Sequence, residues 1–275
     1  MFAIYKKEMR SYFTNPVGYV YLGIFMALSA LICCYTTLQS RTYDTSTYFS
    51  LMIFAFIVLI PILTMRTFAE EKKMRTEQLL LTAPVTITGM VLGKYLAAMT
   101  MFVGSLLLST INLIPLYIIG GEETAAARAE AMQSASELMG TTVTNAGSGI
   151  NIGPNTPHVI GSILGIVLLG GAFVAIGVFI SSITENQLSA AISTMGIIVF
   201  MVIIGFVNTI GSDSEGNRLI SSYVVRSVID WISVYSRYAK FGYGLLDFSS
   251  LVYFVSLAAI FLFLTIRIYE KRRWE

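Results

Sequence analysis

Six apolar runs leave this chain little choice of environment. They cover about residues 17–38, 48–65, 95–119, 159–183, 188–210 and 249–268, and no acidic residue interrupts any of them. A hydrocarbon core about 30 Å thick asks for roughly 20 apolar residues of helix, and each run comes close to that length. Charged residues make up only 12% of the chain, half the roughly 25% of soluble domains. The formal charge is +2, too small a field to hold a nucleic acid. Two cysteines exclude a disulfide scaffold and a four-cysteine metal site. An all-α membrane protein with six transmembrane helices is the expected fold class.

Basic residues orient the spans. With the N-terminus inside, 12 of the 18 Lys and Arg fall on inner segments: Lys6, Lys7, Arg10, Arg66, Lys72, Lys73, Arg75, Lys94, Arg267, Lys271, Arg272 and Arg273. The inner connections are also short, where the positive-inside rule acts most strongly. Both termini are therefore expected in the cytoplasm. Lys94 and Arg267 sit near span ends, where a long side chain is expected to snorkel to the interface. Cys33 and Cys34 read as apolar filler of the first span. The first run is long and lacks a small-x-small cleavage pattern, so it reads as a span and not as a cleaved signal.

Outside the spans four segments stand out. Residues 1–15 predict an amphipathic helix, with Phe2, Tyr5, Met9, Tyr12 and Phe13 on one side and Lys6, Lys7 and Arg10 on another; Asn15-Pro16 then caps and starts span one. Two readings stay open for it: a basic anchor on anionic lipid, or an elbow that passes motion along the inner surface. Residues 67–83 predict a charged inner helix of about four turns. Thr67 and Glu70 have capping-box spacing, Glu71–Arg75 and Lys73–Glu77 are four apart, and Pro84 stops the helix. Residues 120–158 form an outer insertion: an Ala-rich surface helix from Glu122 to Met139, then a Gly/Asn/Thr/Pro loop. Residues 221–248 predict an outer amphipathic helix over 223–239 lying in the interface, turned by Gly242 and Gly244 into span six. The short connection 181–187 carries Thr184 and Gln187, read as a capping box for span five, and Gly161-x-x-x-Gly165 and Gly171-x-x-x-Ala175 read as packing seams in span four.

Several chemistries find no residues to carry them. Gly89-Met-Val-Leu-Gly93-Lys94-Tyr95 is one residue short of a phosphate loop, lacks its Ser or Thr, and runs into a span. There is no His-Glu-x-x-His and no Gly-x-Ser-x-Gly, and the lone His158 supports neither a metal site nor a triad. No catalytic residue and no metal ligand is expected. The spans offer no ionisable residue near the midplane for proton or sodium coupling, only neutral groups such as Thr110, Asn112, Thr194 and Asn208. Of these, Asn112 and Asn208 are candidates for lining a path; hydrogen bonding between helices is the other reading. A transporter of this description needs its energy from another chain.

The charged loop and its relatives carry a resemblance. Phe68-Ala69-Glu70-Glu71-Lys72-Lys73, Thr76-Glu77-x-Leu79-Leu80-Leu81-Thr82-Ala83-Pro84-Val85 and Leu92-Gly93-Lys94 resemble the first inner loop of ABC-2 permeases. Ser181-Ser182-Ile183-Thr184-Glu185-Asn186-Gln187 is similar to their second inner loop, and Phe241-Gly242-x-Gly244-Leu245-Leu246-Asp247 and the terminal Tyr269–Trp274 complete the pattern. It covers most of the chain outside 121–158 and looks closest to gliding-motility-type and sodium-export-type permeases. The resemblance implies a transmembrane subunit of an ATP-driven exporter in a bacterial inner membrane. It implies two copies of a separate ABC ATPase that bind ATP and Mg, a second permease subunit (identical or sister), and no cofactor on this chain. Beyond ATPase and lipid it implies no nucleic-acid partner. It assigns ATPase docking to a coupling helix bearing Glu70, Glu71, Lys72, Lys73, Arg75, Thr76 and Glu77, with Glu185 and Asn186 beside it, and a segment before the last span that dips into the membrane. A second expectation, drawn from the extra outer segment, is a non-transporting anchor that relays ATPase strokes to an outer partner.

Overall fold

Prolines, short polar breaks and apolar length divide the chain into helices. The structure, a computed structural model, describes residues 1–39, 43, 45–78, 85–139, 152–210, 233–245 and 247–274. All regular structure among them is helical. The helices are α1 (Phe2–Thr14), α2 (Pro16–Cys33, continued by a π-helical turn Cys34–Leu38), α3 (Ser46–Thr64), α4 (Ala69–Lys73), α5 (Ile87–Ser109, continued by a 3₁₀ turn Thr110–Leu113), α6 (Ile114–Met139), α7 (Thr156–Ile183), α8 (Gln187–Ile210), α9 (Val234–Gly242) and α10 (Phe248–Trp274). Six helical stretches, built on α2, α3, α5–α6, α7, α8 and α10, are long and apolar enough to cross a membrane. Both chain ends lie beside the loop after α3, where Lys7 pairs with Glu71 and Arg272 with Glu77.

Helix α7 is the central post. It packs against α3, α5, α8, α9 and α10, and it is buried on nearly every side from Leu169 to Val178. Its glycines make this possible. A methyl group at Gly161 would lie 2.6 Å from the Phe241 carbonyl oxygen, and one at Gly165 would lie 2.7 Å from Phe241 Cβ. The first seam therefore seats α9 inside the same subunit. Gly244, at φ +73°, then turns the chain from α9 toward α10.

Four elements differ from the sequence reading. The Ala-rich segment is not a separate surface helix: α6 runs unbroken from the end of the third span through Met139. Residues 152–153 return to it, their amides donating to Thr124 Oγ1 at 3.1 and 3.2 Å. Helix α9 begins at Val234, where Ser233 is extended and its Oγ accepts from the Ser236 amide. A helix continuous over 223–239 is thus excluded on its C-terminal side; residues 223–232 lie outside the described residues. Asn15 is the extended residue before Pro16 as expected, yet its side chain donates back to Ser11 Oγ and caps nothing. At the other short connection Thr184 closes α7, its Oγ1 donating to the Ile180 carbonyl. The side chain that accepts from a first-turn amide of α8 is Asn186, from Leu188 N at 3.4 Å.

Candidate functional site

The charged loop after α3 starts with a tight turn, Met65–Phe68, and one short helix, α4. The first amides of such a helix need acceptors. Ser181 Oγ, from the last turn of α7, accepts from Phe68 N at 3.0 Å and Ala69 N at 3.1 Å. The cap therefore comes from another helix, 112 and 113 residues away along the chain. The capping box expected from Thr67 and Glu70 does not form. Thr67 Oγ1 donates back to the Thr64 carbonyl, and Glu70 takes two 2.7 Å bonds from the Arg66 guanidinium.

A four-turn helix does not follow. Arg75 adopts φ 55°, left-handed and unusual for a residue with a Cβ. Met74 and Thr76 amides fold back onto Glu70 and Glu71 carbonyls, both at 2.9 Å. The loop thus has an exposed tip, Lys73-Met74-Arg75, with Met74 69% exposed. The expected pairs Glu71–Arg75 and Lys73–Glu77 lose their helical spacing at this turn. Residues 79–83, the expected apolar end of the helix, lie outside the described residues.

Glu71 turns inward to Lys94. That lysine sits seven residues into α5 and is 1% exposed, so it does not snorkel. Its Nζ lies 2.9 Å from Glu71 Oε1, 3.1 Å from Glu8 Oε1 and 2.5 Å from the Thr67 carbonyl oxygen. An ammonium group has three hydrogens, and three acceptors meet it. Lys7 adds a second cation to Glu71 at 3.2 Å. The Lys94 ammonium also lies 4.9 Å from the centre of the Phe68 ring, within cation–π range. One buried charge thereby holds α1, α4 and α5 together.

Phe68 carries the connection to the last span. Its ring lies tilted against Tyr269 with centroids 4.7 Å apart, and Arg272, one turn on, donates to Glu77 at 2.9 Å. Lys72 points the other way, donating to the carbonyls of Ser182 and Thr184 at the end of α7. Burial first, then neighbouring Arg272, push its ammonium down to about 8, against the pull of Glu77 and Glu185. Lys72, Lys73, Glu77, Gln78, Glu185 and Arg272 line one open cleft of about 640 Å³.

The structure therefore brings together most of the residues singled out in the two short loops, in two roles. Glu71, Lys72 and Glu77 fasten the loop to the bundle, while Glu70 pairs with Arg66 and Thr76 donates to the Glu71 carbonyl inside the loop. Lys73, Arg75, Glu185 and Asn186 are exposed. Asn112 is elsewhere, 18 residues beyond Lys94 and roughly 27 Å along the helix, where its side chain donates to Ser29 Oγ at 2.9 Å. Asn208 lies in α8, its side chain outside the described residues. Sequence reasoning missed Glu8, Lys94, Ser181, Tyr269 and Arg272 as parts of this site. One signal was available for Lys94: helix α5 starts at Thr86, whose Oγ1 accepts from Gly89 N, and a Thr-x-x-Gly start there puts Lys94 inside the helix and away from its end.

Residues 5–268 match the family model described as ABC-2 family transporter protein. A comparison with the curated proteins finds no match.

Proposed function

The chain belongs to the ABC-2 family of transporter proteins, and we propose on that premise that it converts ATPase strokes on a partner chain into export of a substrate. As a member it is a multi-pass membrane permease of an ABC transporter, a family that works with an ABC ATPase and typically with a second permease.

The observation that carries the finer reading is the fastening of the loop. A loop helix that merely hung in solvent would absorb a push by bending. Here α4 is capped by α7 through Ser181, ion-paired to α5 through Lys94 and to α1 through Lys7, and joined to α10 where the Phe68 ring meets Tyr269. A force on the exposed tip is delivered to four helices at once. In this reading the tip residues Lys73 and Arg75, with Glu185 and Asn186 across the cleft, meet the ATPase. Glu71, Lys72 and Glu77 hold the lever to the membrane domain, and Glu70 and Thr76 brace it internally. The end of the bundle with both termini then faces the cytoplasm, as the positive-inside count favours. Two ATPase copies bind ATP and Mg, this chain binds no cofactor, and a second permease, identical or sister, completes the transporter in a bacterial inner membrane.

The test is a mild-detergent pull-down of tagged protein with mass spectrometry and an ATPase assay, comparing wild type with Lys73→Glu/Arg75→Glu. Both substitutions are at exposed positions, so the fold is expected to survive. An ATP-hydrolysing partner that binds wild type and is lost from the double variant supports the reading. Retention of that partner by the double variant removes the docking face, and absence of any ATPase under several extraction conditions removes the coupled permease.

The continuity of α6 with the third span favours a second reading, a non-transporting anchor that relays strokes to an outer partner. Full function after deletion of 124–156 would count against it.

A further inference from the structure

Two departures from α-helical geometry occur in neighbouring spans. Helix α2 ends in the π-helical turn Cys34–Leu38, and α5 passes into α6 through the 3₁₀ turn Thr110–Leu113. Such irregular turns re-aim backbone groups, and between apolar spans there is no bulk water to satisfy them. The 3₁₀ turn is bonded to the last turns of α2, just before its π-helical end. Cys33 Sγ donates to the Asn112 carbonyl oxygen at 3.5 Å, and Asn112 Nδ2 donates to Ser29 Oγ at 2.9 Å.

Tyr48, in the first turn of α3, is aimed into this seam. It is 1% exposed, its hydroxyl faces Ser109, Ser29 and Asn112, and it has no hydrogen-bond partner among the described residues. The nearby hydroxyls have committed their hydrogens to the backbone: Ser109 to the Leu106 carbonyl at 2.7 Å and Ser29 to the Met26 carbonyl at 3.0 Å. Tyr48 therefore offers a donor, and Ser109 keeps oxygen lone pairs. A buried polar group left unpaired in this way calls for an occupant or a reason. The groups named are all uncharged, so an ion entering here meets no counter-charge.

We propose that this seam is an intramembrane subsite for an uncharged hydrogen-bonding group, a hydroxyl or amide, held at Tyr48 between α2, α3 and α5. The group accepts from or donates to the Tyr48 hydroxyl and reaches Ser109. Water and the neutral polar part of a cargo share this chemistry. The subsite stands apart from the loop lever and does not depend on an ATPase.

The experiment uses the full chain in nanodiscs and has two arms. The first is X-ray radiolytic footprinting of wild type, which oxidises buried side chains next to bound water. Tyr21 is the internal control, equally enclosed but with its hydroxyl 3.5 Å from Ser105 Oγ. The second is photolabelling with a diazirine-bearing octanol, and with the matching octanoate, in wild type and Tyr48→Phe. A several-fold excess of oxidation at Tyr48 over Tyr21 supports the subsite with water as occupant. Alcohol labelling of peptides around Ser29–Thr37, Tyr48 and Ser109–Leu113 supports it for cargo hydroxyls, provided Tyr48→Phe lowers the apparent affinity about three- to tenfold, the worth of one neutral hydrogen bond, and octanoate labels less. Oxidation of Tyr48 no faster than Tyr21, together with alcohol labelling absent or unchanged in Tyr48→Phe, overturns the proposal. The first arm needs no variant, so misfolding of Tyr48→Phe cannot hide the answer.

Discussion

Lys94→Met isolates the node at the base of the loop. Methionine matches the lysine stem in reach but carries no charge and donates nothing, so the three acceptors around Nζ lose their partner. Removing one member of a buried ionic group costs about 3–5 kcal/mol, because an uncompensated charge stays in a poorly solvated place. Two features move this case to the lower bound. The Glu8 and Glu71 side chains are 15% and 14% exposed, so some water reaches them, and Lys7 remains 3.2 Å from Glu71. The expected loss is about 3 kcal/mol. At roughly 2–4 °C per kcal/mol for larger domains, that is a fall of about 6–12 °C in melting temperature. The assay is thermal melting in nanodiscs, followed by intrinsic fluorescence and by trypsin cleavage after Lys73 and Arg75, which should accelerate once α4 is released. The triple variant Lys94→Met/Glu8→Gln/Glu71→Gln removes the stranded carboxylates and should regain most of the loss, as neutral replacements of buried ionic groups do. Melting of Lys94→Met within about 2 °C of wild type, less than the cost of one kcal/mol, refutes the reasoning. So does a triple variant no better than the single one.

Ser181→Ala should cost about 1–2 kcal/mol, as loss of a helix N-cap does, and should expose the Lys73–Arg75 tip to trypsin while leaving far-ultraviolet helicity unchanged. Gly165→Leu drives a side chain into Phe241 and should detach α9; a cysteine placed at Val234, buried in wild type, should then react with a maleimide. Lys72 gives a pH signature. Its folded-state ammonium titrates near 8 and its unfolded one near 10.5, so between those values the unfolded chain binds more protons and stability contributed by this site rises with pH. The melting temperature of wild type relative to Lys72→Met should therefore climb from pH 8 toward 10.5 and stay level below 8; a fall over that window contradicts the burial argument.

The spans were legible because length and the absence of acidic residues are properties of a run, independent of what packs against it. The helical N-terminus, the Gly242–Gly244 turn and the small-residue pattern of the Gly161–Gly165 seam were legible for a similar reason, since local pattern decides them, though the partner seated in the seam was not. The loop was legible as a charged, exposed insertion and not in its geometry. Every residue from Ala69 to Gln78 tolerates a helix, and nothing in that run announces the left-handed Arg75. What breaks the helix is tertiary: Glu71 is drawn to Lys94 and Glu77 to Arg272, partners 23 and 195 residues away in the chain. The capping boxes failed likewise. Thr67 and Thr184 have the right spacing, but a carbonyl of the preceding helix takes each hydroxyl, and Ser181 and Asn186 do the capping. Lys94 was misplaced because a lone lysine near a span end ordinarily reaches outward; only the convergence of Glu8 and Glu71 makes the inward direction the cheaper one.

Helix α6 makes the third span a mechanical pointer. Its 26 residues extend about 39 Å at 1.5 Å per residue, and its root is the 3₁₀ turn Thr110–Leu113, where the regular hydrogen-bond ladder of α5 stops. A tilt of about 10° at that root sweeps the far end through about 7 Å, while residues beside the turn barely shift. Rearrangements too small to register in the lipid core are thus written large outside it. A spin-label pair with one member at Glu137 and the other on α9 would read the working cycle of the bundle from a distance, without any label entering the membrane.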